Sequence, residues 1–176
     1  EGDVTLTAAN PQVAKEGDEG YPAIVNHVVY FGDGIGPSTT LRGFKVTGAN
    51  NHVIFSEEPK YAIQPDVPGL EKHKLFFYAD GGGIKIFGRS FPTLENCEIH
   101  NNYASPCAGG VSIEHKGVGE QYVHFKNCIF RNNSCPINGA GIDMLRGSAA
   151  LVENCLFIDN KSNSNHDSRS SKVPPW

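Results

Sequence analysis

Three segments of the sequence repeat one another closely enough to decide what the chain can fold into. Each contains an Asn-Cys pair followed, five residues after the cysteine, by another asparagine, and the copies are Leu94–Asn102, Phe125–Asn133 and Val152–Asn160. Successive cysteines lie 31 and 27 residues apart. A period of this length is typical of a solenoid, in which no unit buries its own apolar face and neighbouring units must stack.

Between these copies lies a second repeated segment, in which small residues precede an alternating run. Its three copies are Gly82–Ile86, Gly109–Ile113 and Ala140–Met144. Apolar and polar residues alternate with period two, which predicts strands with one face inward and one outward. Glycine at the start of each strand and asparagine at its exit supply the left-handed conformations that sharp corners need. Each coil therefore holds at least two strands joined by tight turns.

Stacking of such coils predicts ladders of equivalent residues, about 4.8 Å apart. Cys97, Cys128 and Cys155 form one predicted ladder, as small buried apolar residues inside the coils. The asparagines just before them, Asn96, Asn127 and Asn154, form a predicted amide ladder at a corner. A fainter copy at 41–48, with Phe44 in the cysteine position, indicates about four coils between Val25 and Asn163.

The run from Gly81-Gly82-Gly83-Ile84 to Glu95-Asn96-Cys97 resembles the pectin-lyase-like right-handed parallel β-helix superfamily, and in particular extracellular bacterial repeat proteins. The opening 3–11 is similar to the strand that precedes the first coil in those proteins. The resemblance implies an all-β, single-stranded right-handed parallel β-helix. We expect this solenoid over residues 1–163, interrupted by a lateral loop at 51–80 and followed by a polar tail or cap at 164–176.

Composition limits the function classes. The chain has 15 basic and 19 acidic residues and a net charge of −4, which does not favour nucleic-acid binding. No apolar stretch approaches the length of a membrane span. We expect no metal or other cofactor, because the cysteine spacings lack the short knuckles of zinc sites. Asp33, between Gly32 and Gly34, is either a turn residue or a calcium ligand, and the turn is favoured.

Two further cysteines follow the Asn-Asn pairs on adjacent coils. Cys107 and Cys135 each stand beside a proline, at Pro106 and Pro136. A disulfide between them would fit an oxidising compartment, and free thiols are the alternative.

Polar residues on the outward face of the alternating strands form the first candidate site. One column is Lys85, Ser112 and Asp143, and the strand exits add Glu114, His115, Arg146 and Arg89. The resemblance to polysaccharide lyases implies Lys85 or His115 as the base, with Arg89 or Arg146 holding a uronate carboxylate. Hydrolases of the superfamily use clustered carboxylates instead, which Asp143 and Glu114 match best. The competing interpretation is a solvent-facing strand surface on which opposite charges pair.

The lateral loop at 51–80 is the second candidate. It carries Tyr61, Phe77 and Tyr78 among charged residues, and such rings suit stacking on sugars, with Glu114 as a further substrate contact. The alternative is that these aromatic residues simply pack on the sides of the coils.

Three functions remain open at this point. The chain is a secreted or cell-surface β-helix that binds polysaccharide, a polysaccharide lyase or related enzyme, or a structural module of a larger surface protein. In each case we expect an extracellular location. Because solenoid ends expose apolar layers, we also expect an upstream portion of a longer protein, or another chain, to cover one end.

Overall fold

The computed structural model describes residues 4–8, 26–51, 80–105, 107–114, 121–145 and 147–162. All regular elements in these residues are short β-strands. Their bounds are β1 Val4–Thr7, β2 Val29–Phe31, β3 Thr40–Arg42, β4 Phe44–Thr47, β5 Asn50–Asn51, β6 Ile84–Phe87, β7 Thr93–Glu95, β8 Glu98–His100, β9 Tyr103–Ala104, β10 Val111–Glu114, β11 Val123–Lys126, β12 Ile129–Arg131, β13 Ile142–Met144, β14 Ala150–Glu153 and β15 Leu156–Ile158.

The strands stack into parallel sheets that run along the solenoid. Sheet I has the order β1-β4-β8-β12-β15, sheet II the order β2-β6-β10-β13, and sheet III the order β3-β7-β11-β14. A two-stranded sheet pairs β5 with β9. Every ladder is parallel. We number the coils from the amino end: coil 1 begins at β2, coil 2 at β6, coil 3 at β10 and coil 4 at β13.

The register confirms the columns that the repeats predict. Ile84 pairs with Val111, and Val111 with Ile142. The fainter upstream copy is also in place, because Leu41 pairs with Leu94. The strand predicted before the first coil is β1, which pairs with β4 from Val4 to Thr7.

The corners are made by asparagines with left-handed backbone, as the sequence predicts. Asn96, Asn127 and Asn154 all have φ between 50° and 54°. In their ladder, Asn154 Nδ2 donates to Asn127 Oδ1 at 2.7 Å. An L-residue in this conformation costs energy unless it is Gly, Asn or Asp, so the repeat fixes where the chain turns.

The core is a set of apolar columns between the three sheets. Ile86, Ile113, Leu94, Phe125 and Phe130 are each 0% exposed. Cys97 and Cys128 are buried among them, as predicted, while Cys155 is half-buried. These thiols are therefore packing residues of the interior.

A second amide ladder lies inside the coils, where Asn102, Asn133 and Asn160 are stacked. Asn102 Nδ2 donates to Asn133 Oδ1 at 3.1 Å, and Asn133 Nδ2 donates to Asn160 Oδ1 at 3.0 Å. Each amide also donates to a carbonyl of the preceding coil, namely that of Val46, Ile99 or Phe130. These bonds satisfy polar groups that would be costly to bury alone.

Candidate functional site

The polar column of sheet II is in the predicted register but is not a solvent-facing surface. Lys85 pairs with Ser112, and Ser112 with Asp143. Their exposed fractions are 0%, 0% and 6%, so the interpretation of this column as solvent-facing is wrong. Period-two alternation distinguishes the two sides of a strand, but it does not say whether the outer side meets water.

Lys85 is held by an ion pair inside this column. Its Nζ donates to Glu114 Oε2 at 2.8 Å and to Ser112 Oγ at 3.3 Å. The Glu114 side chain is only 4% exposed. Because a buried ammonium is costly without a counter-charge, Glu114 and Lys85 depend on each other.

Two further carboxyl groups lie close to this pair. Asp80 is 4% exposed, and its Oδ1 accepts a hydrogen bond from the Cys107 amide at 3.2 Å. Burial raises the pKa of Asp80 to about 7; nearby Lys85 opposes this shift, while the neighbouring carboxylates of Asp143 and Glu114 add to it. Burial likewise raises the pKa of Asp143. Burial therefore shifts both carboxyl groups towards their protonated form.

Asp143 is only partly satisfied. Its Oδ1 accepts from Asn138 Nδ2 at 3.0 Å, whereas its Oδ2 is buried without a hydrogen-bond partner among the described residues. An unpaired buried carboxylate oxygen is costly, and protonation of the group lowers that cost.

His27 belongs to the same neighbourhood. Its Nδ1 lies 2.8 Å from the Gly81 carbonyl and donates to it, while Nε2 is buried without a partner in the described part of the chain. Burial, followed by the charge of Lys85, lowers the pKa of His27 to about 3. The imidazole is therefore neutral, and the residue is half-buried in the irregular segment just before β2.

These buried groups form one cluster with an excess of acid. The cluster is defined by His27, Asp80, Lys85, Glu114 and Asp143, which together offer three carboxyl groups against one ammonium. Such an excess of acid retains a proton. The described residues contain no group of three or more His, Cys, Asp or Glu side chains arranged to hold a metal ion.

The remaining sequence candidates lie elsewhere. Arg89 pairs with Asp33 at the other end of β6, its Nε donating to Asp33 Oδ1 at 3.0 Å and its Nη2 to Oδ2 at 2.5 Å. This ion pair lowers the pKa of Asp33 and ties its turn to coil 2. Five predicted site residues lie outside the described residues: His115, Arg146, Tyr61, Phe77 and Tyr78.

The disulfide predicted between Cys107 and Cys135 is not formed, and both are free thiols. Cys107 Sγ donates to Asn138 Oδ1 at 3.2 Å, and Cys135 Sγ donates to the Asn138 carbonyl at 3.1 Å. Burial raises the pKa of both thiols, that of Cys135 to about 11. Neither is therefore a reactive thiolate at neutral pH.

Sequence reasoning missed Asp80, His27 and Asn138 as members of this neighbourhood. A signal was available for two of them, because Asp80 and Asn138 immediately precede the glycines with positive φ, Gly81 and Gly139, that open their strands. Nothing in the sequence marks His27, which precedes β2 without a matching copy in the later coils.

A second site lies at the corner between sheets III and I. A shallow groove of about 260 Å³ runs beside the corner ladder of Asn96, Asn127 and Asn154, which we call the outer amide ladder. The lining of this groove includes Lys45, Asn96, Glu98 and Asn127. Asn96 and Asn127 are exposed there. This groove combines amides, a cation and a carboxylate, which are the groups that hydrogen-bond sugar hydroxyls.

Comparison with known proteins identifies the family. A family model described as a right-handed β-helix region matches residues 69–173. The chain belongs to this right-handed β-helix family. No match is found among curated proteins or among solved structures. Within the described β-helix, no helix is long and apolar enough to cross a membrane.

Proposed function

We propose that this β-helix is a non-catalytic module of a secreted or cell-surface protein, and that it binds polysaccharide in the corner groove. The observation that carries the proposal is the position of the exposed Asn96 and Asn127 amides in one groove with Lys45 and Glu98. The extracellular location and the glycan ligand are both part of the proposal.

The burial of the Lys85 cluster supports a module without turnover. A lyase base needs a neutral amine within hydrogen-bond reach of its substrate. Lys85 is instead 0% exposed and paired with Glu114 at 2.8 Å. A polymer does not reach this amine in the structure, because the side chain is fully buried and hydrogen-bonded to Glu114.

The geometry of the groove supports sugar binding. Asn96 and Asn127 are exposed at equivalent corners of successive coils, and both have a φ of 54°. Stacking places these amides about 4.8 Å apart along the solenoid. A chain of sugar units lying along the axis would meet one amide on each coil, with charged side chains beside it.

The test is binding of the whole chain to a panel of neutral and uronate polysaccharides by isothermal titration calorimetry. Asn127→Gly removes the amide and keeps the backbone conformation accessible. We expect this variant to lower the association constant about fivefold, since one hydrogen bond contributes about 1 kcal/mol. Asn132→Gly is the matched control, because Asn132 is an exposed asparagine with φ 52° that does not line the groove.

Three results would overturn the proposal. The first is the absence of binding to any polymer, and the second is an equal loss in Asn127→Gly and Asn132→Gly. The third is release of unsaturated product from a uronate polymer by the wild type, with loss of that product in Lys85→Ala.

A further inference from the structure

Coil 4 is the last coil that the structure describes, and its interior columns lie open. Its strands β13, β14 and β15 are the last in their sheets. Met144, Val152 and Phe157 are 45%, 44% and 52% exposed. Their partners on coil 3, which are Ile113, Phe125 and Phe130, are all 0% exposed.

We infer that this end of coil 4 is a docking surface for a further β-helix coil, parallel and in register, carried by a partner polypeptide. The inference does not depend on polysaccharide binding. Three independent features of coil 4 continue the coil-to-coil interface beyond the last described strand and specify the chemistry of that partner.

The first feature is the inner amide ladder. Asn102 and Asn133 each use their side-chain NH₂ group twice, for a carbonyl of the preceding coil and for the amide oxygen of the next. Asn160 Nδ2 donates to the Phe130 carbonyl at 2.8 Å. Among the described residues its second proton has no acceptor, and the repeat places that acceptor on a fifth coil.

The second feature is Gly141. A Cβ on Gly83 would lie 2.7 Å from the Gly110 carbonyl oxygen, and one on Gly110 would lie 2.3 Å from that of Gly141. Glycine is thus required where the next coil brings its backbone close. At Gly141 the nearest described atom to such a Cβ is a Phe157 ring carbon at 3.1 Å. Glycine here leaves the space that a fifth coil's carbonyl would occupy.

The third feature is a column of alternating charge on sheet III. Arg42 pairs in register with Glu95, Glu95 with Lys126, and Lys126 with Glu153. Arg42 Nη2 contacts Glu95 Oε2 at 2.7 Å. A partner that continued this alternation would carry a cation over Glu153.

Coil 2 provides the template for the partner. It contacts coil 3 through four pairs of residues, which are Glu95 with Lys126, Leu94 with Phe125, Ile99 with Phe130 and Asn102 with Asn133. Coil 4 presents the same chemistry in the same columns, with Glu153, Val152, Phe157 and Asn160. The partner coil therefore resembles coil 3, and its apolar residues cover the open columns.

The test uses a labelled synthetic peptide with the sequence of residues 121–135, carrying Cys128→Ser and Cys135→Ser, titrated with the whole chain by fluorescence anisotropy. We expect saturable binding. Val152→Asp, which places a charge in an interior column, is expected to weaken binding at least tenfold. Leu151→Asp is the control. Leu151 precedes Val152 on β14 and is 36% exposed, but its column holds the polar residues Thr93 and His124. Circular dichroism confirms that each variant is folded.

A charge exchange tests the register. Glu153→Lys should weaken binding of the peptide about threefold, and a peptide with Lys126→Glu should restore it, as expected for one exposed ion pair. The absence of saturable binding, or equal losses in Val152→Asp and Leu151→Asp, would overturn the inference. Self-association of the chain that is abolished by Val152→Asp would also overturn it, because the surface would then be filled by a second copy.

Discussion

Coils 3 and 4 have nearly the same sequence pattern and the same register, yet their interior residues meet different surroundings. Phe130 and Phe157 occupy one column, and the exposed fraction rises from 0% to 52% between them. A solenoid residue is thus buried by its neighbouring coil rather than by its own. An interior position of the last described coil is therefore apolar, like a core position, but exposed, like a surface position.

The largest expected difference between the two coils concerns the two phenylalanines. Phe130 packs edge-on against Phe125 and stacks on Phe157 with ring centroids 4.7 Å apart. Phe130→Ala should lower the free energy of unfolding by about 3–5 kcal/mol. Phe157→Ala should cost about 1–2 kcal/mol, since half of the ring is already exposed. Urea denaturation measures both, and equal losses would mean that coil 4 is covered in solution.

In the polar column of sheet II, a substitution in coil 2 and one in coil 4 should change the free energy of unfolding in opposite directions. Lys85→Met leaves three buried carboxyl groups without their ammonium and should lower the free energy of unfolding by about 3–5 kcal/mol. Asp143→Asn removes one excess acidic group and should raise the free energy of unfolding at neutral pH, because burial disfavours the ionised carboxyl group. Thermal unfolding of both variants checks this. Destabilisation of similar size in both would contradict an excess of acid.

The pH dependence of stability should report on Asp80. Its pKa is raised from 3.8 to about 7 in the fold, so its contribution is fully present below pH 4 and is lost as the pH rises through 7. Asp80→Asn lacks this loss, so its stability relative to the wild type should increase between pH 4 and pH 7. The low pKa of His27 makes stability rise over the same pH range. This effect is the same in the wild type and in Asp80→Asn, so it drops out of the difference between them. A constant difference across the range would contradict the buried carboxyl group.

The smallest expected difference concerns the inner amide ladder. Asn133→Ala removes hydrogen bonds to both neighbouring coils at a fully buried position and should cost about 2 kcal/mol. Asn160→Ala should cost about 1 kcal/mol, because water reaches the half-buried end of the ladder. Both values come from denaturant unfolding, and the reverse order would show that coil 4 is not the open end.

The columns of the fold were predictable because they depend on local chemistry. Asparagine tolerates the left-handed backbone, glycine allows close approach, and alternation fixes the inward side, so the positions of Asn96, Ile84 and Cys97 follow from the repeat. The disulfide was not predictable in the same way, because equivalent positions on adjacent coils do not fix where two side chains point.

The candidate site was less accessible to sequence reasoning. The column of Lys85 and Asp143 was found, but its burial was not, because no periodic signal reports what lies against the outer side of a sheet. His27 was missed for a related reason. It reaches the cluster through a contact with Gly81, 54 residues away, and that contact has no copy in the other coils.

The alternating column that runs from Arg42 to Glu153 also bears on how such a solenoid changes in length. Removing one coil, for example coil 3, would bring Glu95 against Glu153, and duplicating one coil would likewise place two like charges side by side. Adding or removing coils in pairs preserves the alternation. The charge pattern of this column therefore repeats every two coils, although the structural repeat is one coil.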